Sequence, residues 1–537
     1  MTRRTLPAAL AALAALALAP TATAAGLDGT APAPDVSLPG MASAAGVDAD
    51  PATWIVAARG DRAAGDRIAR AAGARRIAGG AWEVARERAR PLAAALRAQG
   101  LLDFAEPNRI ARPAQAPDPL SAQAGWRDFV VGGAVAPPVA PTSPLIALVD
   151  TVLDATHPEI AGSNITTLGG GPLADFHGTA TATVAAAPAN GVGMLGIWPG
   201  ARALNVPLPN GQQILCSDSA RAIARAVRAG AATINMSYGS PTRCGTEAQQ
   251  IAKAVKAGAI PVAASGNEFA SGNPLEFPAS LPHVLTVAAI GPDEKPTSFS
   301  NASAAIDLSA PGIGILTGVP AGFDPDGTAD GFAPVSGTSF SAPMVSAAVA
   351  WIRAARPDLT PYQAAQVVRR GARDIGARGY ENSTGFGALS LPGALAKRPP
   401  ADDPLEPNDD VRHVDGRAFG ALAPPIFNGG KPKTVAAEAD VAEDPVDVYR
   451  VKIRAGHRLR ATLTPSLGDP DLFVFDSHAR SVFAGRGSVA RSTHRHGKDR
   501  VTARNRGGRT TTFYVAVGFD KRKKLKRLDA RYTLRVG

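Results

Sequence analysis

The chain is short of the residues that build disulfide scaffolds, thiolate metal clusters and membrane spans. It has two cysteines, Cys216 and Cys244, among 537 residues. Two thiols cannot form a disulfide framework, although they can form one bond in an oxidising compartment. Neither lies beside a histidine or a second thiol in sequence, which argues against metal and redox roles. Long apolar runs are also lacking, since nothing beyond the N-terminus reaches the roughly 18 uninterrupted apolar residues of a spanning helix. The N-terminal run from Leu6 to Ala19 is itself too short to span. It follows Arg3 and Arg4 and precedes Ala22-Thr23-Ala24, the order of parts in an export signal, so residues 1–24 are expected to be a signal peptide and the protein to be secreted. With 45% hydrophobic and 19% charged residues, the chain is not a disordered polymer.

Acidic residues are the scarcer charge, 46 against 57 Lys and Arg, for a net charge of +11. The imbalance is local. Residues 481–537 hold sixteen Lys and Arg against three Asp, with KRKKLKR at 521–527 the densest run, and the rest of the chain is close to neutral. In an exported chain this suits an anionic envelope polymer and gives no reason to expect nucleic acid.

The length implies two or three domains. A Gly/Ala/Pro-rich stretch runs to about residue 50. WIVAARG, DRIARAAGARRI, AWEVAR, RPLAAALRAQG and LLDFAEPNRIARP then alternate strand and helix patterns over about 52–112, and a Pro-rich linker follows. From Pro144 to about Leu391 the apolar runs LIALVD, ALNVPL, ATINMS, IPVAAS and VLTVAAI alternate with amphipathic helical segments such as SARAIARAVRAGA and EAQQIAKAVKAGA. Continuous apolar strands followed by helices predict an α/β fold, a parallel sheet covered by helices on both faces. Residues 405–537 alternate polar and apolar as a β-sandwich does.

In such sheets ligands gather at the carboxyl ends of the strands. Asp150 ends the first strand, His177 opens a helix, Asn267 closes PVAASGN after a strand and Ser339, within PVSGTSFSAP, stands at the head of the last major helix. These are the parts needed to make a serine hydroxyl nucleophilic and to hold an oxyanion. Each alone has a bland reading as a cap or turn residue.

The contexts of these four residues resemble the subtilisin-like serine endopeptidases, the subtilases. GTSFSAP at 337–343 is similar to the family's nucleophile motif and His177-Gly178-Thr179 to its histidine motif. Asp150-Thr151 followed by His157-Pro158 is similar to its aspartate motif, and Ser265-Gly266-Asn267 to its oxyanion element. The chain order Asp, His, Ser is that family's order, and the Gly-x-Ser-x-Gly elbow of lipases is absent around Ser339. The resemblance implies a subtilisin-like peptidase domain over 119–398, with Asp150, His177, Ser339 and Asn267 catalytic and no cofactor. It further implies that Ser237, Tyr238, Gly239, Ser265 and Gly266 bind an extended protein or peptide substrate, and Ala263 and Ala264 suggest an apolar or permissive pocket.

Residues 25–118 resemble a propeptide and linker that inhibit their own enzyme. After a linker at 399–404, residues 405–537 are similar to the bacterial pre-peptidase C-terminal domain. The whole is expected to act as a monomer. Departures from the family pattern occur at Val152, at Ala180-Thr181-Ala182-Thr183, and at Met344-Val345-Ser346-Ala347. They keep a second reading in view, a catalytically inactive binding protein. FDPDGTADG (323–331) lacks the spacing of an EF-hand loop, and it is read as a polar surface insertion with no metal ligand assigned.

Overall fold

The computed structural model describes residues 49–537 except 79, 110–117, 210–212, 485, 495–496 and 520–528. The export signal expected over 1–24 and the KRKKLKR run fall outside the described residues. The chain divides into two units, residues 1–114 and 115–537.

In the first unit, β1 (Ala49–Ala58), α1 (Arg62–Ala71), β2 (Arg75–Ala78), β3 (Ala81–Ala85), α2 (Arg86–Ala98) and β4 (Leu102–Arg109) form an antiparallel sheet of order β2-β3-β1-β4 with two helices. Val56, Trp82, Leu92 and Leu96 bury themselves between sheet and helices. Asp61 caps α1 by accepting from the amides of Ala63 and Ala64. Helix α2 begins at Arg86, four residues before the expected RPLAAALRAQG, and runs through Pro91.

The second unit opens with α3 (Gly125–Val131), β5 (Leu145–Asp150), β6 (Ile165–Thr167), α4 (His177–Ala186), β7 (Ala203–Pro207), α5 (Cys216–Arg228), β8 (Ala231–Met236), α6 (Gly245–Lys256), β9 (Ile260–Ala264), β10 (Leu285–Ile290) and β11 (Leu308–Pro311). It continues with β12 (Ile315–Gly318), β13 (Phe332–Val335), α7 (Thr338–Ala355) and α8 (Pro361–Arg370). Seven parallel strands stand in the order β11-β10-β9-β8-β5-β7-β6. Every residue of β5, β8, β9 and β10 is buried. That is why these strands read as unbroken apolar runs: α4 and α7 cover one face and α5 and α6 the other. This is a subtilisin-like fold. Strands β6 and β11 and the β12–β13 hairpin were not expected; they are three or four residues long and carry no run to betray them. FDPDGTADG lies between β12 and β13, where Asp326 and Asp330 accept from the amides of Thr328 and Phe332 in turns. Cys216 and Cys244 are bonded to each other, joining the start of α5 to the N-cap of α6.

The C-terminal strands β14 (Lys433–Asp440), β15 (Val446–Ile453), β16 (Arg458–Leu467), β17 (Asp471–Phe475), β18 (Ser488–Ser492), β19 (Asp499–Arg504), β20 (Thr511–Gly518) and β21 (Asp529–Val536) form two antiparallel sheets. Their orders are β14-β21-β16-β19 and β15-β20-β17-β18. Leu459, Leu463, Val474, Val515, Val517 and Leu534 from both sheets fill the space between. The sandwich is tied to α8 through Arg369, 3% exposed, whose guanidinium pairs with Asp307, Asp440 and Glu443.

The first of these sheets turns an unusual face outward. Arg458, Arg460, Arg500, Arg504, Arg531 and Arg535 are exposed there, interleaved with Thr434, Thr462, Thr464, Thr502 and Thr533. One row across the sheet reads Thr434, Arg535, Thr462, Arg500, and in the outermost row Arg458 stands opposite Arg504. The arginines of this face begin before residue 481, at Arg458, and Arg531 among them is paired with Glu438.

Candidate active site

Asp150 is the last residue of β5 and His177 the first of α4. The His177 Nδ1 atom lies 2.6 Å from Asp150 Oδ1. The Asp150 carboxylate also accepts from the Thr151 amide at 2.8 Å and from the Thr181 hydroxyl at 2.9 Å. Thr181 sits one helical turn after His177 on the same face of α4, so a departure from the family pattern becomes a support for the aspartate. Gly178 has a packing reason: a Cβ there would lie 2.2 Å from the Thr151 carbonyl oxygen. The Gly178 amide donates to Thr151 Oγ1 at 2.8 Å, and the Thr151 hydroxyl and the His177 amide donate to Asp175 Oδ1 at 2.7 and 2.9 Å. Sequence reasoning missed Asp175, two residues before the histidine in an unremarkable loop. Burial works against a charged His177 ring, but the charge and hydrogen bond of Asp150, with the charge of Asp175, outweigh it and hold its pKa above the ordinary imidazole value.

Ser339 lies in the first turn of α7. Its hydroxyl donates to the Ser237 carbonyl at 3.3 Å, and the Ser237 hydroxyl donates back to the Ser339 carbonyl at 2.7 Å. Among the described residues this contact, rather than one to the imidazole, is the hydrogen bond Ser339 makes; the Phe340 ring packs 5.6 Å from the His177 ring, centroid to centroid. Gly337, the N-cap, has φ 148° and ψ 156°, a conformation that only glycine adopts without strain. Asn267 Oδ1 accepts from the Thr338 amide at 3.0 Å and its hydroxyl at 2.9 Å. Those two donors fix the carbonyl end of the Asn267 side chain and turn its NH2 group the other way. Ser341, in contrast, donates into the Pro311 carbonyl at 2.9 Å and is buried.

The five residues expected to bind substrate divide. Ser237 touches Ser339, whereas the Tyr238 side chain points away, its hydroxyl 2.8 Å from Ser219 and 3.4 Å from Glu247 beneath α5 and α6. Burial first, and then the Glu247 carboxylate, push the Tyr238 pKa well above its ordinary value. Gly239 and Gly266 face Glu276, while Ser265 is buried with its hydroxyl 3.4 Å from that of Ser300. Ala263 and Ala264, the basis for expecting an apolar pocket, lie in the core strand β9 at 0% and 4% exposure.

The other departures in α4 and α7 are also accommodated, while Val152 is half-buried. Thr183 donates to the Ala180 carbonyl at 3.0 Å and accepts from the Gly318 amide at 3.0 Å, Ser346 donates to Asn235 at 3.1 Å, and Met344 and Ala347 are buried in the core. Away from this site, two groups of described residues have the donor types and closeness to hold a cation: His283, Glu406, Asp409 and Asp444, and Asp403, Glu406 and Asp447. Their oxygen-rich donor set suits a hard ion.

The chain matches the Subtilase family (Peptidase S8) over residues 142–387. The subtilisin of Bacillus pumilus is 30% identical to it over 246 residues, 44% of this chain and 86% of that protein. Fervidolysin of Fervidobacterium pennivorans is 29% identical over 285 residues, 47% of this chain, and the match spans 41% of fervidolysin's own length. The solved structure of fervidolysin aligns with a TM-score of 0.48 at 17% identity, covering 86% of each chain.

Proposed function

Because the chain belongs to the subtilase family of serine proteases, we propose that it is a secreted endopeptidase, made as a zymogen, that hydrolyses peptide bonds of proteins with Ser339 as nucleophile. The observation that carries this reading is the 2.6 Å contact between His177 Nδ1 and Asp150, whose other oxygen is held by Thr181.

Asp150 keeps the Nδ1 proton on His177, so Nε2 is free to act as base. Ser339 Oγ attacks the carbonyl carbon while Nε2 takes its proton, and the resulting imidazolium is stabilised by Asp150. The tetrahedral oxyanion is bound by the Asn267 NH2 group and by the Ser339 amide, one of the unpaired donors of the α7 N-terminus. Nε2 then protonates the leaving amine, and water repeats the sequence on the acyl-enzyme. The Ser339 hydroxyl must swing from the Ser237 carbonyl toward the ring, a tightening common when substrate binds. The satisfied hydroxyls of Thr181, Thr183 and Ser346 and the core positions of Met344 and Ala347 support the active reading over an inactive binding protein.

Residues 52–112 act as the intramolecular inhibitor, and the mature enzyme works as a monomer outside the cell. Among the described residues no helix is long and apolar enough to cross a membrane. The Arg/Thr lattice of the sandwich holds an anionic envelope polymer. It has no aromatic ring on which nucleic-acid bases could stack, and Arg458 facing Arg504 is a like-charge pair that a purely structural sheet gains nothing by keeping.

The test is labelling with a serine-directed fluorophosphonate. Mature wild type labels and cleaves a denatured protein, and Ser339→Ala does neither and retains any bond otherwise cut between residues 105 and 145. A mature wild type that neither labels nor cleaves sinks the reading.

A further inference from the structure

The segments after β8 and β9 run side by side at the carboxyl edge of the sheet, because the two strands pair in parallel. Ser237 to Gly239 form one wall and Ser265 to Gly266 the other. Gly266 immediately precedes Asn267, and Ser237 touches Ser339. A substrate residue whose carbonyl is attacked by Ser339 and held by Asn267 therefore has its side chain directed between these walls.

Between them stands Glu276. Phe277 and Ser240 exchange two backbone hydrogen bonds of 2.9 Å as an antiparallel bridge, which holds the Glu276 segment alongside the Gly239 wall. A Cβ on Gly239 would lie 2.7 Å from Glu276 Oε2, and one on Gly266 would lie 2.7 Å from Glu276 Cγ. Both walls are glycine where Glu276 passes, so neither carries a side chain that could cover its carboxylate. Glu276 is only 5% exposed. Among the described residues its carboxylate has neither a hydrogen-bond donor nor a Lys or Arg partner. The nearby charge is a second carboxylate, Glu268, whose Oε2 would lie 2.8 Å from a Gly266 Cβ and which already accepts from the Asn267 amide at 2.7 Å. Asn301, the remaining polar neighbour at Gly266, is neutral. A buried carboxylate without a counterion is costly, and two close together are more so.

We propose that Glu276 is the specificity-determining residue of this site, and that it receives the Lys or Arg side chain of the substrate residue whose carbonyl is attacked. The proposal rests on the peptidase reading of Ser339. The cation comes from the substrate, and Glu268 adds a second negative charge at the same wall. Burial and then the charge of Glu268 raise the Glu276 pKa to about 7 in the free protein. The preference is therefore present above that pH, where the carboxylate is charged, and is lost as the pH falls through it.

The experiment uses the mature enzyme and a series of succinyl-Ala-Ala-Pro-X p-nitroanilides with X as Arg, Lys, Leu, Phe or Glu. At pH 8.5 the ratio of kcat/KM for Arg over Leu is expected to exceed about 10, and Glu276→Gln lowers it about 10²-fold while Leu cleavage persists. In wild type alone the ratio falls between pH 8.5 and 6, so the result does not depend on the variant folding. Equal rates for Arg and Leu at pH 8.5, or a ratio indifferent to both pH and Glu276→Gln, overturn the proposal while leaving a working peptidase. Hydrolysis of none of the substrates and of no protein is a failure of the peptidase reading itself.

Discussion

At the scale of single residues, the candidate site depends on side chains that hold Asp150, Asn267 and His177 in place. Thr181 fills the second oxygen of Asp150, Thr338 fixes the amide of Asn267, and Asp175 anchors the entry to α4 and adds negative charge near His177. The last has a measurable consequence. In the proposed mechanism His177 must be neutral to accept the Ser339 proton, so its raised pKa is expected to place the acid limb of activity above the ordinary imidazole value. Asp175→Asn keeps an acceptor for Thr151 and the His177 amide but removes the charge, so the acid limb of the kcat/KM profile moves to lower pH; an unmoved limb contradicts the role given to Asp175. Asp150, His177, Asn267 and Ser339 were legible in sequence because each lies in a short motif. Thr181 was visible only as a departure, and Asp175 and Glu276 were not visible, since each lies in no motif and meets a partner from another element, Thr151 and Gly239, 24 and 37 residues away.

At the scale of elements, the parallel strands were legible because burial on both faces forces continuous apolar sequence, and the helices because one stripe is apolar. The edge strands were not, since three residues show no periodicity. The disulfide is an element-scale device: it closes a loop of sequence separation 28 and ties the starts of α5 and α6, the helices beneath Tyr238. Loop closure of that length is worth about 3–4 kcal/mol. Cys216→Ser with Cys244→Ser, measured in a Ser339→Ala background to prevent autolysis, is expected to lower the unfolding free energy by about that amount in denaturant melts. A loss below about 1 kcal/mol means that packing of α5 and α6 already holds them.

At the scale of the whole molecule, one sheet of the sandwich carries six exposed arginines on its outward face, and Arg369 holds that sandwich to α8. Arg458→Thr, Arg460→Thr and Arg500→Thr together are expected to weaken binding to immobilised polygalacturonate about 10-fold at low salt, each lost pair contributing modestly at an exposed face. Removing the same charge elsewhere, with Arg491→Thr, Arg506→Thr and Arg509→Thr, has little effect. Equal losses in the two triples indicate net charge alone, and sink the lattice as a site. The sequence by itself determined the class of the fold, its alternation of strands and helices and the four residues proposed for the chemistry, because periodicity and short motifs are local properties of a chain. Only the tertiary structure decided which surface carries the charge, that the two cysteines meet, and what stands between Gly239 and Gly266. Those depend on strand register and on loops brought together from distant positions, and no local pattern in the chain encodes them.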